Sequence, residues 1–168
     1  MWDNNASIDT WDRVAQDYNN EILQQEIQLQ EEIADLFQKY DIESGSKIIE
    51  LGSGSGHLSF LFSEKGYETH LLDFSPKALE KCEMLFKTKG RQGRFINADL
   101  TKDLPLEEKY KVAWNSGVLE HFDDEKLKEI AANIAKIDAE YFVFIVPNPK
   151  SIPYLLLSLI HISEPTRH

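Results

Sequence analysis

A doubly wound α/β fold with a mostly parallel sheet is predicted by three features of the sequence. From Lys47 onward, short apolar runs alternate with stretches of helical periodicity, and that alternation implies right-handed crossovers and a sheet covered on both faces. A glycine-rich turn, "ELGSGSG" at 50–56, joins the first apolar run to the next helical stretch. Later helices open at recognisable caps, Ser75 followed by Pro76 and then Asp123 or Asp124, as side-chain acceptors and an N1 proline favour.

The elements follow in order. In "TWDRVAQDY", Trp11, Val14, Ala15 and Tyr18 recur at helical spacing, and Ile22, Leu23, Ile27, Ile33, Leu36, Phe37 and Tyr40 do so in a second stretch, so two helices precede the sheet. "KIIEL", "THLLD", "RFINA", "KVAWN" and "YFVFIV" read as its strands. The helix opened by Ser75 presents Leu79, Cys82, Leu85 and Phe86 on one face. The one opened by Asp123 or Asp124 presents Leu127, Ile130, Ala131, Ile134 and Ile137.

Composition narrows the function. The 168 residues are 42% hydrophobic and 28% charged, enough for one domain with a sizeable core. A formal net charge of -11 repels phosphate backbones, so nucleic acid is not the expected partner. Cys82 is the sole cysteine, which excludes an internal disulfide and a cysteine-rich metal site. His57, His70, His161 and His168 stand in no metal-ligand spacing, and no metal is expected. The start lacks the basic and apolar regions of a signal peptide, and no run approaches the roughly 20 apolar residues of a membrane span. A cytoplasmic protein is expected; its oligomeric state is not written in these residues.

In doubly wound sheets, ligands gather beyond the carboxyl ends of the strands, near the point where strand order reverses. Each candidate residue should therefore follow a strand. The first strand ends at Glu50-Leu51 and turns through Gly52, Ser53, Gly54 and Gly56. Such a turn at a helix start favours an anion. Yet this one contains no Lys or Arg, begins with a carboxylate, and has His57 where a G-x-G-x-x-G fingerprint needs its third glycine. The second strand ends at Asp73, placed to accept hydrogen bonds from both hydroxyls of a ribose. The third ends in "NADL", where Asp99 can accept from an exocyclic amine while the backbone of Leu100 reads a ring nitrogen. The alternative for Asp73 and Asp99 is that each caps the turn after it. "AWNSGVLEHF" leaves Asn115, Ser116, Glu120 and His121 at the mouth. Three carboxylates and no cation in the loop suit a cationic ligand that contains a nucleoside.

With "ELGSGSG", "LLDFSPKALEKCE", "NADL", "GVLEHF" and the early "WDRVAQDY" in this order, the chain resembles the class I S-adenosylmethionine-dependent methyltransferases of small molecules. The likeness runs from Trp11 to Pro149 and implies a Rossmann-like methyltransferase fold. It implies that Glu50 serves the methionine amino group, directly or through water, and that the backbone of Gly52, Ser53 and Gly54 lies under the methionyl and ribose parts. Asp73 would bind the ribose, with Phe74 against the adenine. Asp99 and Leu100 would recognise the base, and Asn115 and Ser116 would line the sulfonium end. Trp11 and Tyr18 would belong to a lid, although their shared apolar face also suits ordinary packing.

Methyl transfer is an in-line displacement on an electrophile already activated by its charge, so proximity, alignment and exclusion of water carry much of the catalysis. His121 is the candidate general base; its alternative role is to cap or pack the loop after the fourth strand. "NSGV" stands where amino methyltransferases of nucleic acids carry Asp/Asn-Pro-Pro-aromatic, and there is no Pro-Cys nucleophile, which leaves a small-molecule acceptor. The competing readings are a nicotinamide-dependent oxidoreductase and a non-catalytic S-adenosylmethionine-binding module.

The expected organisation is an N-terminal helical lid over 1–45, an S-adenosylmethionine-binding core over 46–156 and a non-native tail over 157–168. That tail, "LSLIHISEPTRH", matches residue for residue a translation of a transposase adapter used in sequencing libraries. The antiparallel strands that close such sheets are accordingly expected to be missing, "YFVFIV" to form an exposed edge, and the chain as written to be unstable or inactive.

Overall fold

A computed structural model describes residues 20–146, and side chains from residue 27. Helix α1 (Asn20–Lys39) precedes β1 (Lys47–Leu51), α2 (His57–Glu64), β2 (Glu68–Asp73), α3 (Pro76–Thr88), β3 (Arg94–Asn97), β4 (Tyr110–Ser116), α4 (Asp124–Ile134) and β5 (Ala139–Ile145). All five expected strands are present, within two residues of the runs that predict them. The helix expected around Trp11 and Tyr18 lies outside the described residues, as does the segment 157–168.

The strands lie in the order β3-β2-β1-β4-β5, and every pairing is parallel. The chain builds outward in one direction through β2 and β3, then returns to start β4 against β1. That reversal puts the switch point between the ends of β1 and β4. On one face Ile48, Val112 and Trp114 pack with Ile33 and Phe37 of α1 and Leu58 and Phe62 of α2, with the Phe37 and Phe62 rings stacked at 5.1 Å. On the other, Ile49, Leu51, Leu72 and Ala113 meet Ile130 and Ile134 of α4. Leu71 joins Phe60, Cys82 and Phe86 in a third cluster under α3.

The caps are as the sequence implies. Ser75 accepts from the Ala78 N–H with Pro76 at N1, and Asp123 accepts from the Lys126 N–H; each such cap is worth about 1 kcal/mol. Two expected apolar positions are corrected. Tyr40 falls beyond α1 and is exposed. Ala131 is exposed, and Asn133 is buried in its stead because its amide donates to the Leu100 carbonyl at 3.1 Å. On β5, burial alternates, leaving Phe142 and Phe144 partly exposed and stacked on each other. No helix among the described residues is long and apolar enough to cross a membrane.

Two imidazoles make stability depend on pH. Burial lowers the pKa of His70 against the raising hydrogen bond from Glu68, and burial followed by the Lys89 charge lowers that of His57. As pH falls through the ordinary value of 6.5, the unfolded chain takes up protons before the folded one does, so stability decreases as pH falls. The melting temperature is expected to be lower at about pH 5.5 than at about pH 7.5, and replacing His70 by Gln should flatten the difference. A profile that stays equally steep in that variant would assign the effect to other groups.

Candidate functional site

The site is built from the ends of the strands. After β1 the backbone turns so tightly that the N–H groups of Gly52 and Ser53 both donate to the Leu72 carbonyl, at 2.7 and 3.0 Å. Its three glycines have positive φ but differ in surroundings. A Cβ on Gly52 would lie 2.6 Å from a methyl of Val118, and one on Gly56 2.6 Å from the Cys82 sulfur. A Cβ on Gly54 would meet nothing within 4 Å among the described residues, so of the three this is the glycine with open space beside its α-carbon. There a ligand can approach the backbone.

Asp73, the last residue of β2, is buried and uses both carboxylate oxygens. Oδ2 accepts from the Gly54 N–H at 2.9 Å, and Oδ1 accepts from the Ser75 N–H at 2.9 Å. The residue thus caps the turn before α3 and also ties that turn to the glycine loop. Phe74 follows it, 38% exposed. Glu50, one residue before the end of β1, is 3% exposed and accepts a hydrogen bond from the Ser59 hydroxyl of α2 at 2.5 Å. The Cys82 thiol donates to the Gly54 carbonyl at 3.4 Å. Burial, then the Glu50 charge and more weakly that of Asp73, push it up to about 12. It is a neutral donor under the loop and not a nucleophile.

Asp99 has a different setting. Its Oδ1 accepts from the Thr101 N–H at 2.9 Å and the Thr101 hydroxyl at 2.7 Å, and Oδ2 lies 3.5 Å from the Lys102 ammonium. Burial pushes its carboxyl up, but Thr101 and Lys102 together hold it below the ordinary value. This is the turn-capping geometry. Leu100 is buried in the core with its carbonyl taken by Asn133.

The two last residues of β4 are Asn115 and Ser116. Asn115 is fully buried, and neither its amide nitrogen nor its amide oxygen has a hydrogen-bond partner among the described residues. Leaving such a group unpaired costs about 1–3 kcal/mol, a cost that a polar ligand would remove. Ser116 is half-buried. His121 closes the single 3-10 turn Leu119–His121, half-buried, its N–H directed at the Val118 carbonyl at 3.3 Å. Trp11 and Tyr18 lie outside the described residues.

Every described candidate sits at or just beyond the carboxyl end of its strand. The fold ties the glycine loop to Asp73 through the Gly54 N–H and Glu50 to α2 through Ser59, and Val118 brings the segment before His121 against Gly52. Asp99 is bonded within its own turn. Sequence reading missed Ser59, Val118 and the contact of Cys82 with the loop, since no local pattern links residues 9 to 66 positions apart. It also missed a group at the opposite end of the sheet. There the donor atoms of Glu68, His70 and Glu108 lie within 4.8 Å of one another, a mixed set that a comparison of histidines alone cannot reveal. Lys47 pairs with Glu68 and Glu108, and Arg94 pairs with Glu108. Both carboxylates of the group are thus engaged in ion pairs.

Residues 48–138 match the family model described as a methyltransferase domain. No curated protein matches the chain. Among solved structures, the chain is similar to the magnesium protoporphyrin IX methyltransferase of Synechocystis PCC 6803 with bound SAH. Identity is 22% and the TM-score 0.64, over 95% of this chain and 75% of that one. A S-adenosylmethionine-dependent methyltransferase from Clostridium acetobutylicum gives 17% and 0.61 over 78% and 52%. A protein solved for the conversion of a disulfide bond into a thioacetal group during echinomycin biosynthesis gives 23% and 0.53 over 59% and 41%. The likeness at these identities is one of fold. The chain spans less than two thirds of the length of the last two.

Proposed function

The chain belongs to the methyltransferase domain family, and from that premise we propose that it binds S-adenosylmethionine for methyl transfer to a small-molecule acceptor. The observation that carries the proposal is the Asp73 carboxylate held against the open face of Gly54. It joins an acceptor for ribose hydroxyls to a backbone that a ligand can approach. Glu50 adds a buried negative charge on the neighbouring strand, suited to an ammonium. The unpaired Asn115 amide adds a donor and an acceptor at the switch point.

The bound sulfonium would supply a methyl group already activated for displacement. The chain's own residues bind and align. Asp73 takes the ribose hydroxyls, Phe74 lies along the adenine, and Glu50 takes the ammonium. Asn115 and Ser116 line the sulfonium end, and the backbone of Gly52 to Gly54 forms the floor. Asp99 orders the turn after β3 and presents the backbone of Leu100 to the base. His121 stands on the acceptor side, where an imidazole can accept a proton from an acceptor that arrives protonated. Residues 1–45 serve as the lid, to which Trp11 and Tyr18 belong.

Isothermal titration with S-adenosylmethionine and, separately, with NAD tests the reading. A saturable heat with the sulfonium nucleoside and none with NAD is expected. Binding of NAD alone would replace the proposal with a nicotinamide-dependent oxidoreductase.

A further inference from the structure

We propose that Ser59 is a positioning residue for Glu50, fixing the carboxylate that receives the ammonium of the cofactor; the proposal rests on the cofactor reading above. Ser59 is fully buried on α2. Its side chain has no apolar packing to offer beyond one methylene group, so an alanine would fill the same space nearly as well. What alanine cannot supply is the hydroxyl, which donates to Glu50 Oε2 at 2.5 Å.

A carboxylate that is 3% exposed retains its charge only where donors replace the water it has lost. Hydrogen bonds to an ionised acceptor are among the stronger ones. The location adds a geometric reason. Glu50 belongs to β1, whereas Ser59 belongs to the helix that begins just after the glycine loop. The bond therefore spans the loop from its strand side to its helix side, while the Gly54 N–H, donating to Asp73, ties the loop to β2. It fixes the rotamer of Glu50 relative to the backbone on which the cofactor would lie. The Glu50 charge also reaches the Cys82 thiol beneath the loop. Glu50 thus borders the interior near Cys82, and a carboxylate released from Ser59 could turn toward apolar neighbours and away from a ligand.

The distinguishing probe is a ligand that has the nucleoside and no ammonium. 5′-Methylthioadenosine keeps the adenine and ribose but lacks the amino-acid end. Titrations of the full 168-residue chain and of Ser59→Ala, Glu50→Gln and the double variant would use both ligands, with thermal melts as a check on folding. For Ser59→Ala, S-adenosylmethionine is expected to bind about tenfold more weakly, with methylthioadenosine unchanged. In the Glu50→Gln background the serine should no longer matter, because the charge it positions is gone. Ser59→Thr, which keeps the hydroxyl, should recover most of the selective loss; if the added methyl lowers its melting temperature, the double variant carries the test alone.

Equal weakening of both ligands by Ser59→Ala would overturn the proposal, since a helix-packing role predicts that result. So would additive effects in the double variant. An unsubstituted chain that binds methylthioadenosine and S-adenosylmethionine equally would remove the role of Glu50. One that binds neither would overturn the cofactor reading itself, a failure distinct from that of Ser59.

Discussion

Asp73→Ala is expected to weaken S-adenosylmethionine binding about 100-fold or more while also lowering the melting temperature. Two hydrogen bonds from ribose hydroxyls to a carboxylate are together worth about 3–5 kcal/mol in such a site. Their loss is not the whole effect, because the carboxylate also accepts the Gly54 and Ser75 N–H groups. Alanine leaves both without that acceptor, at about 1 kcal/mol or more for each. Asp73→Asn separates the contributions. Its single carbonyl oxygen can serve one N–H group, while its amide nitrogen faces the other as a second donor. Calorimetric titration and thermal melts of both variants check the prediction. Unaltered affinity in Asp73→Ala would remove the residue from the binding site and leave it as a turn cap.

The second large effect separates two glycines two residues apart. Gly56→Ala is expected to destabilise the chain by about 2–4 kcal/mol, since strain at positive φ adds to a collision within a packed core. The new Cβ would lie 2.6 Å from the Cys82 sulfur and 2.9 Å from a Leu71 methyl, at φ +70. Gly54→Ala bears only the backbone penalty, about 1 kcal/mol, because its Cβ meets nothing within 4 Å. It should fold and yet lose S-adenosylmethionine affinity by about tenfold or more, its methyl occupying the ligand's approach. Urea denaturation paired with titration checks both. The contrast fails if Gly54→Ala unfolds as readily as Gly56→Ala and binds as tightly as the unsubstituted chain.

The legible parts of this molecule are those governed by local rules. Strands announced themselves as short apolar runs, and Ser75-Pro76 and Asp123 as caps, because cap and turn chemistry acts within three or four residues. The glycine loop was legible as a tight turn between β1 and α2, although only the surroundings distinguish Gly54 from its neighbours. Periodicity failed at α4 because it counts apolar residues and ignores acceptors. The Leu100 carbonyl needed a donor, so Asn133 turned inward and Ala131 outward. The same limit hid Ser59, which meets Glu50 only once α2 packs on β1, and the group of Glu68, His70 and Glu108, which forms only when the segment before β4 comes back to the start of β2. Asp99 shows the reverse case. Its place in "NADL" read as a base contact or a cap, and Thr101 at two residues' distance accounts for the bonds its carboxylate makes.

The contact between Gly52 and Val118 constrains how this site can change through mutation. A methyl group occupies the position where a side chain at 52 would begin, so the two residues share one volume across the β1 and β4 boundary. The effect of a change at either depends on the other. Alanine at 52 carries both a collision and a backbone penalty in the present background, but only the backbone penalty once Val118 has become glycine. The permitted order of substitution is therefore fixed, with the loop that carries His121 yielding before the glycine loop can. A lineage altering the residues around His121 would remain tied, through this one pair, to the glycine loop.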